Sequence, residues 1–207
     1  MRTSPYFMII AGAIIFASCS PSAEKKEAGA TVESAAVTTT PAAPVPTLII
    51  SEADWVEKNL STISPQANIS LKLPKDAKME KNGNGGVDIH INDFYMITVG
   101  NIAVSKINEA KDGDKSLTVN NANSYINGKV LVDEPSGFVY SIQMKDEENG
   151  TKYQPETHFA FYLDKEGAIY SIKDERPLDN FSVAGSAYNE DIAKKIYAIV
   201  KSSAKAN

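Results

Sequence analysis

Between residues 69 and 73 apolar and polar side chains alternate: Ile69, Leu71 and Leu73 against Ser70 and Lys72, with Pro74 ending the run. A period of two puts the apolar set on one face of a strand and the polar set on the other. The same pattern returns after the glycine-rich loop 82–86, where Val87, Ile89 and Ile91 alternate with Asp88, His90 and Asn92. A tight turn at Asn92 and Asp93 leads into a denser apolar strand, Phe94 to Val99. Further on, Phe138, Tyr140, Ile142 and Met144 share one strand face, and Phe159, Phe161 and Leu163 share a face of the next. The acidic stretch 146–150 turns the first of these, and Asp164 to Gly167 turns the second into a strand over Ala168 to Ile172.

Helical spacing occurs in three places. Ser51-x-x-Asp54 opens a short helix running to about Leu60, with Trp55 as its anchor. Ala103, Val104, Ile107 and Ala110 follow a helical period between Asn101 and Lys111. Asn189 caps a closing helix with Glu190 and Asp191 in its first turn and Ile192, Ile196, Ile199 and Val200 along one side, a stripe that must pack on a sheet. Residues 112–127 remain unassigned. Short hairpin loops and the lack of βαβ spacing predict an α+β fold, a single antiparallel β-sheet packed against terminal and middle helices.

The first 47 residues carry a different pattern. Arg2 precedes an apolar or small run from Tyr6 to Ala17, too short for a permanent span, and Phe16-Ala17-Ser18-Cys19 follows with the only cysteine in 207 residues. This stretch resembles the lipobox of bacterial prolipoproteins, with Phe16 where that motif has Leu. The resemblance implies a signal peptide over 1–18 and a Cys19 whose thiol becomes an acylated thioether, leaving no thiol for catalysis or metal. Two or more acyl chains hold a protein stably on a bilayer. Residues 20–47, with four prolines, no aromatic and abundant Ala, Thr and Ser, read as a disordered tether of about 30 Å root-mean-square reach. Ser20 after the cysteine agrees with outer-membrane sorting, with the leaflet left open. A single globular domain then covers 48–207.

The run Ile69 to Met79, with Leu71-Lys72-Leu73-Pro74 at its centre, introduces a strand pair, a middle helix, a series of hairpins and a closing helix. In this order the chain resembles the PsbP-like α/β/α sandwich over residues 67–203. That resemblance implies a binding or assembly module with no catalytic set.

Charge narrows the partners. The chain carries a formal charge of -5, which argues against nucleic acid and anionic lipid surfaces, both of which select clustered Lys and Arg. The two histidines, His90 and His158, fall by alternation on the polar side of their strands, with Asp88 and Asn92 and with Tyr162. Asp88, His90, Asn92, His158 and Tyr162 therefore form a possible binding face, which the simpler reading makes a solvated sheet surface. Asp112-x-Asp114 with Glu109 does not meet a calcium-loop pattern and reads as a solvated loop. No metal, cofactor or catalytic residue is expected. The expectation is a lipid-anchored envelope protein that binds another envelope protein without catalysis. Two alternatives stay open: a small-ligand carrier with a pocket lined by Tyr140, Phe159, Phe161 and Ile196, and a hydrolase using His90 or His158.

Overall fold

The computed structural model describes Leu48 and residues 50–145, 154–176 and 187–207. Cys19, the tether and the acidic turn 146–150 lie outside the described residues. The elements, in order, are a 3-10 turn Glu52–Asp54, β1 Trp55–Asn59, a 3-10 turn Leu60–Thr62, β2 Ile69–Pro74, β3 Lys78–Lys81, β4 Val87–His90 and β5 Met96–Ile102. There follow α1 Ile107–Leu117, β6 Tyr125–Glu134, β7 Gly137–Met144, β8 Glu156–Lys165, β9 Ala168–Glu175, α2 Glu190–Ser203 and β10 Lys205–Ala206.

The described strands pair antiparallel throughout, in two sheets rather than the single one expected. The larger runs β3-β4-β5-β9-β8-β7-β6 and the smaller β1-β2-β10. Pro74 is the reason they separate. It ends β2, and the Ala77 N–H bonds back to the Pro74 carbonyl at 3.1 Å, so the chain turns away before β3 begins. β2 then takes its partners from β1 and from the end of the chain.

That pairing also replaces the helix expected from Ser51. Only one 3-10 turn forms before Trp55–Asn59 joins β2, in register from Trp55 opposite Pro74 to Asn59 opposite Ser70. Local start signals are weak beside the burial of Trp55 and the completion of the β2 ladder. The middle helix begins later than the apolar spacing predicts, at Ile107, because Gly100–Ile102 continue β5 against β9 as far as Ile102 opposite Ile169. Asp112 and Asp114 lie in this helix, not in a loop. β6 has no counterpart in the sequence reading. Its register shifts between Ile126 and Lys129 and between Val130 and Val132, and Asn127 takes a left-handed φ of 57°, so alternation is broken where it would mark a strand.

α2 and the small sheet cover one face of the large sheet. Ile69, Leu71 and Leu73 of β2 meet Ile89, Ile97, Phe159, Ile172, Ile196 and Val200 in one core. Asn189 caps α2 by accepting from the Ile192 N–H at 3.0 Å, and the predicted stripe is buried as it must be. Phe159, Phe161 and Ile196 belong to this packed core, and Tyr140 lies on the opposite face, so the ligand pocket expected among them does not form.

The other face was expected to be wet; over β6 to β9 it is not, while Asp88, His90 and Thr98 on β4 and β5 stay partly exposed. α1 lies across it, and Phe138, Tyr140, Ile142, Ala160, Tyr162 and Ile169 form a second core with Ala110. Tyr162 is 0% exposed and His158 7%. Ala110 alone of α1 is fully buried, so polar contacts hold the helix in place. Lys111 and Lys115 reach Asp133 at 2.8 and 2.7 Å, and Lys173 of β9 reaches Asp114 at 2.6 Å. Tyr162 donates its hydroxyl to Asp114, and Lys115 sits 5.4 Å above the Phe138 ring.

Candidate functional site

The most unusual place in the large sheet is a fork. β8 and β9 pair from Lys165 opposite Ala168 to Ala160 opposite Lys173, and there the ladder ends. β9 stays with β5 to Glu175, opposite Met96, and β8 stays with β7 to Glu156, opposite Ile142. Residues 156–159 thus lose a neighbour on one side, and buried backbone donors need other acceptors. Asp174 supplies one, its Oδ1 accepting from the Phe159 N–H at 2.8 Å. The Tyr188 carbonyl supplies another, accepting from the Thr157 N–H at 2.7 Å.

Side chains fill the opening. The rings of Tyr95 and Tyr188 stack with centroids 4.8 Å apart, and His158 lies 4.9 Å from Tyr188 and 5.7 Å from Tyr140. Tyr95 donates its hydroxyl to Asp174 Oδ2 at 2.7 Å. His158 faces a carboxylate at each ring nitrogen: Nδ1 is 3.4 Å from Asp174 Oδ1, and Nε2 is 3.4 Å from Glu156 Oε2. Arg176 pairs with the other oxygen of Glu156. Glu156, His158, Asp174 and the Arg176 side chain are all buried. Burial, and next the negative charge of Asp174, push the hydroxyls of Tyr95, Tyr140 and Tyr188 above the ordinary tyrosine range. Burial and the hydrogen bond to Asp114 do the same for Tyr162.

This network floors a cleft of about 440 Å³ beneath the C-terminal half of α1. Asp114, Leu117 and Thr118 of α1 form its roof, Tyr125 of β6 its side, and Tyr140, Ile142 and Met144 of β7 its apolar wall. Lys173 and Glu175 close the far end. Glu175 keeps solvent contact, yet desolvation raises its carboxyl above the usual range, with Asp88 and Asp174 adding to the effect and Lys173 opposing it. Leu117 stands at the mouth, 67% exposed, the most exposed large apolar side chain among the described residues. The volume lies in the range of small-ligand sites and of pockets that admit one partner side chain.

The residues singled out from the sequence do not assemble into one site. His90 and His158 share a sheet face, but β5 and β9 lie between their strands. Three strand spacings separate them by roughly 14 Å. His90 Nε2 is 3.2 Å from Glu80 and lines a separate hollow of about 490 Å³ with Met79 and Ile91. Asp88 accepts from Asn82 at 3.0 Å and Thr98 at 3.1 Å, which ties the glycine loop to the sheet. Asn92 accepts from the Phe94 and Tyr95 N–H groups at 2.8 Å each and shapes the turn. Tyr162 is packed under α1 and holds Asp114. Of the five residues of the expected binding face only His158 lines the cleft, together with Tyr140, expected in a ligand pocket, and Asp114, expected in a solvated loop.

Glu156, Asp174, Arg176, Tyr95 and Tyr188 are not singled out by the sequence, and Asp114 is expected there only as part of a solvated loop. One signal was available: Glu156-x-His158 and Asp174-x-Arg176 place ionisable residues at i, i+2 at the adjoining ends of two paired strands, where apolar residues would suffice. No group of three or more His, Cys, Asp or Glu among the described residues is arranged to hold a metal ion. No helix among them is long and apolar enough to cross a membrane.

No protein-family profile and no curated protein matches the chain. Among solved structures it is similar to the solution structure of cyanobacterial PsbP (CyanoP) from Synechocystis sp. PCC 6803, at 13% identity and a TM-score of 0.39, over 80% of this chain and 100% of that one.

Proposed function

We propose that this chain is a bacterial envelope lipoprotein, held at the outer membrane by acylated Cys19 on the tether of residues 20–47. Its domain is a non-enzymatic interaction module of the PsbP-like kind that docks a protein partner at the cleft under α1. The observation that carries the docking site is Leu117, left exposed at the mouth of a cleft walled by Tyr125 and Tyr140. Aromatic and aliphatic side chains around a recess are what a partner's anchor residue packs against. Binding rather than catalysis is supported by the floor of the cleft, where the ionisable groups are committed to one another: Asp174 to Tyr95 and Phe159, Glu156 to Arg176, and both nitrogens of His158 to carboxylates. The anchor rests on the apolar run before the only cysteine.

The test is in-cell photocrosslinking from position 117, with Lys194 on the exposed side of α2 as the control position. The expected result is one envelope protein captured from 117, not from 194, and lost in a Cys19→Ala variant that leaves the membrane. Equal capture from both positions would defeat the docking site. An intact mass of the native protein showing Cys19 without fatty chains would defeat the anchor.

A further inference from the structure

We propose that the cleft under α1 is one half of a two-fold contact whose other half is a second copy of this chain, with Leu117 of each copy seated in the cleft of the other. This rests on the reading that the cleft is the docking site, and it names the partner that docks there.

One patch carries both a knob and the recess that fits it. Leu117 is the last residue of α1 and is 67% exposed, and directly beside it opens the cleft of about 440 Å³ walled by Tyr140, Ile142 and Met144. The ionisable groups deeper in are already answered: Asp114 by Lys173, Glu156 by Arg176, and His158 lies between Glu156 and Asp174. An aliphatic side chain entering the cleft leaves every one of these pairs intact. A two-fold axis at the mouth brings each Leu117 opposite the other copy's recess, since in such an interface residue i meets j wherever j meets i. An unrelated partner would have to supply its own knob and its own recess at the same spacing.

The exposed charges on the two flanks obey the same symmetry. Glu175 of β9 lies at one side of the cleft, exposed, bonded to Thr98 and in no ion pair among the described residues. Lys145 follows Met144 at the end of β7, on the other side, where it donates to the Ala122 carbonyl and has no carboxylate partner among the described residues. β8 lies between their strands, so two strand spacings, roughly 10 Å, separate the flanks. A half-turn about an axis between them sets Glu175 of each copy against the other copy's Lys145, and opposite charges meet at both ends of the contact. Interfaces that bury less than about 1,200 Å² are transient. A contact confined to one helix turn and one cleft mouth belongs with them, so covalent capture is the readout.

The test expresses the full chain in cells as two forms that differ in epitope tag. A photocrosslinker replaces Leu117 in the first form only, so a link to the second form cannot be intramolecular. The expected product has twice the mass of the chain, carries both tags and joins position 117 to residues 140–144 of the second form. Glu175→Lys and Lys145→Glu, placed in both forms, should each cut that yield about fivefold with the melting temperature unchanged, because every reversal acts at two symmetric contacts. Combining the two reversals should restore it. Absence of a product carrying both tags, links that land away from 140–144, or a combined variant that stays weak would overturn the pairing. If 117 captures a different protein and never the second form, the docking site stands and only the second copy falls. If 117 and 194 capture alike, the docking site falls and the pairing with it.

Discussion

Asp174 closes the gap left where β8 parts from β9: its Oδ1 accepts the Phe159 N–H at 2.8 Å while its Oδ2 accepts the Tyr95 hydroxyl at 2.7 Å. One buried side chain thus stands in for a missing strand partner and ties the start of β5 to the end of the fork. Replacing it by alanine leaves two buried donors without acceptors. The Asp174→Ala variant is expected to lose about 2–5 kcal/mol in urea unfolding, and Asp174→Asn, which keeps one acceptor oxygen, to lose less. A loss for Asp174→Ala under about 1 kcal/mol would mean that water satisfies these donors.

Gly137 opens β7 beside Ala160 of β8 and Tyr197 of α2. A Cβ there would stand 2.5 Å from the Ala160 carbonyl oxygen and 3.0 Å from the Tyr197 ring. The backbone of β8 cannot give way without breaking its ladder. Gly137→Ala is expected to destabilise the domain by about 1–3 kcal/mol, as overpacking does, measured by thermal or urea unfolding. A neutral effect would show that α2 shifts freely on the sheet.

The buried tyrosines set the alkaline limit. Burial is the leading cause that raises Tyr95, Tyr140, Tyr162 and Tyr188 above the ordinary value of 10.0. A raised acid constant in the fold means the native state keeps protons that the unfolded chain releases, so their contribution is fully present below about pH 10 and lost as pH rises beyond it. The share of the tyrosinate absorbance that comes from these four of the nine tyrosines should therefore appear only together with loss of far-ultraviolet structure, in one cooperative step. Ionisation of these tyrosines well before unfolding would contradict their placement.

At low pH the contacts of α1 and α2 with the end of β6 weaken. Hydrogen bonds from Lys111 and then Lys115 hold Asp133 below its usual range, and those from Lys201 and then Tyr197 do the same for Glu134. With depressed values, their contribution is present above the ordinary carboxylate range and lost as pH falls through the lower folded values. Asp133 is half exposed, so solvent screening limits each pair to about 0.5–1 kcal/mol. Asp133→Asn should flatten the acid limb of a stability-against-pH curve by that much and leave the neutral value slightly lower. An unchanged acid limb would remove these pairs from the account of how α1 is held.

Strands with regular alternation were legible: β2, β4, β7 and β8 lie where the apolar periods put them, and α2 has the cap and the stripe expected of it. β6 was not, because its bulges cancel the period. β1 was mistaken for a helix because its five residues become a strand only in the presence of β2. The polar side of β8 was read as wet because a sequence period reports that two faces differ, not what lies on each. Among the cleft residues His158 stood out as one of two histidines. Asp174 and Arg176 fall beyond Ile172, where the alternation that marks the strand stops, while β9 runs on to Glu175.

By itself the sequence determined the apolar start before a lone cysteine, a proline-rich segment poor in core-forming residues, an antiparallel α+β domain and an acidic net charge, since these depend on composition and on periods of neighbouring residues. Tertiary structure alone decided that the strands divide into two sheets and that α1 covers the face read as wet. It also decided that β8 and β9 part around Asp174, which brings Glu156, His158 and Arg176 to the floor of a cleft. Those outcomes depend on which strand ends run out of partners, and buried donors left at such an end must be satisfied by side chains distant in the chain.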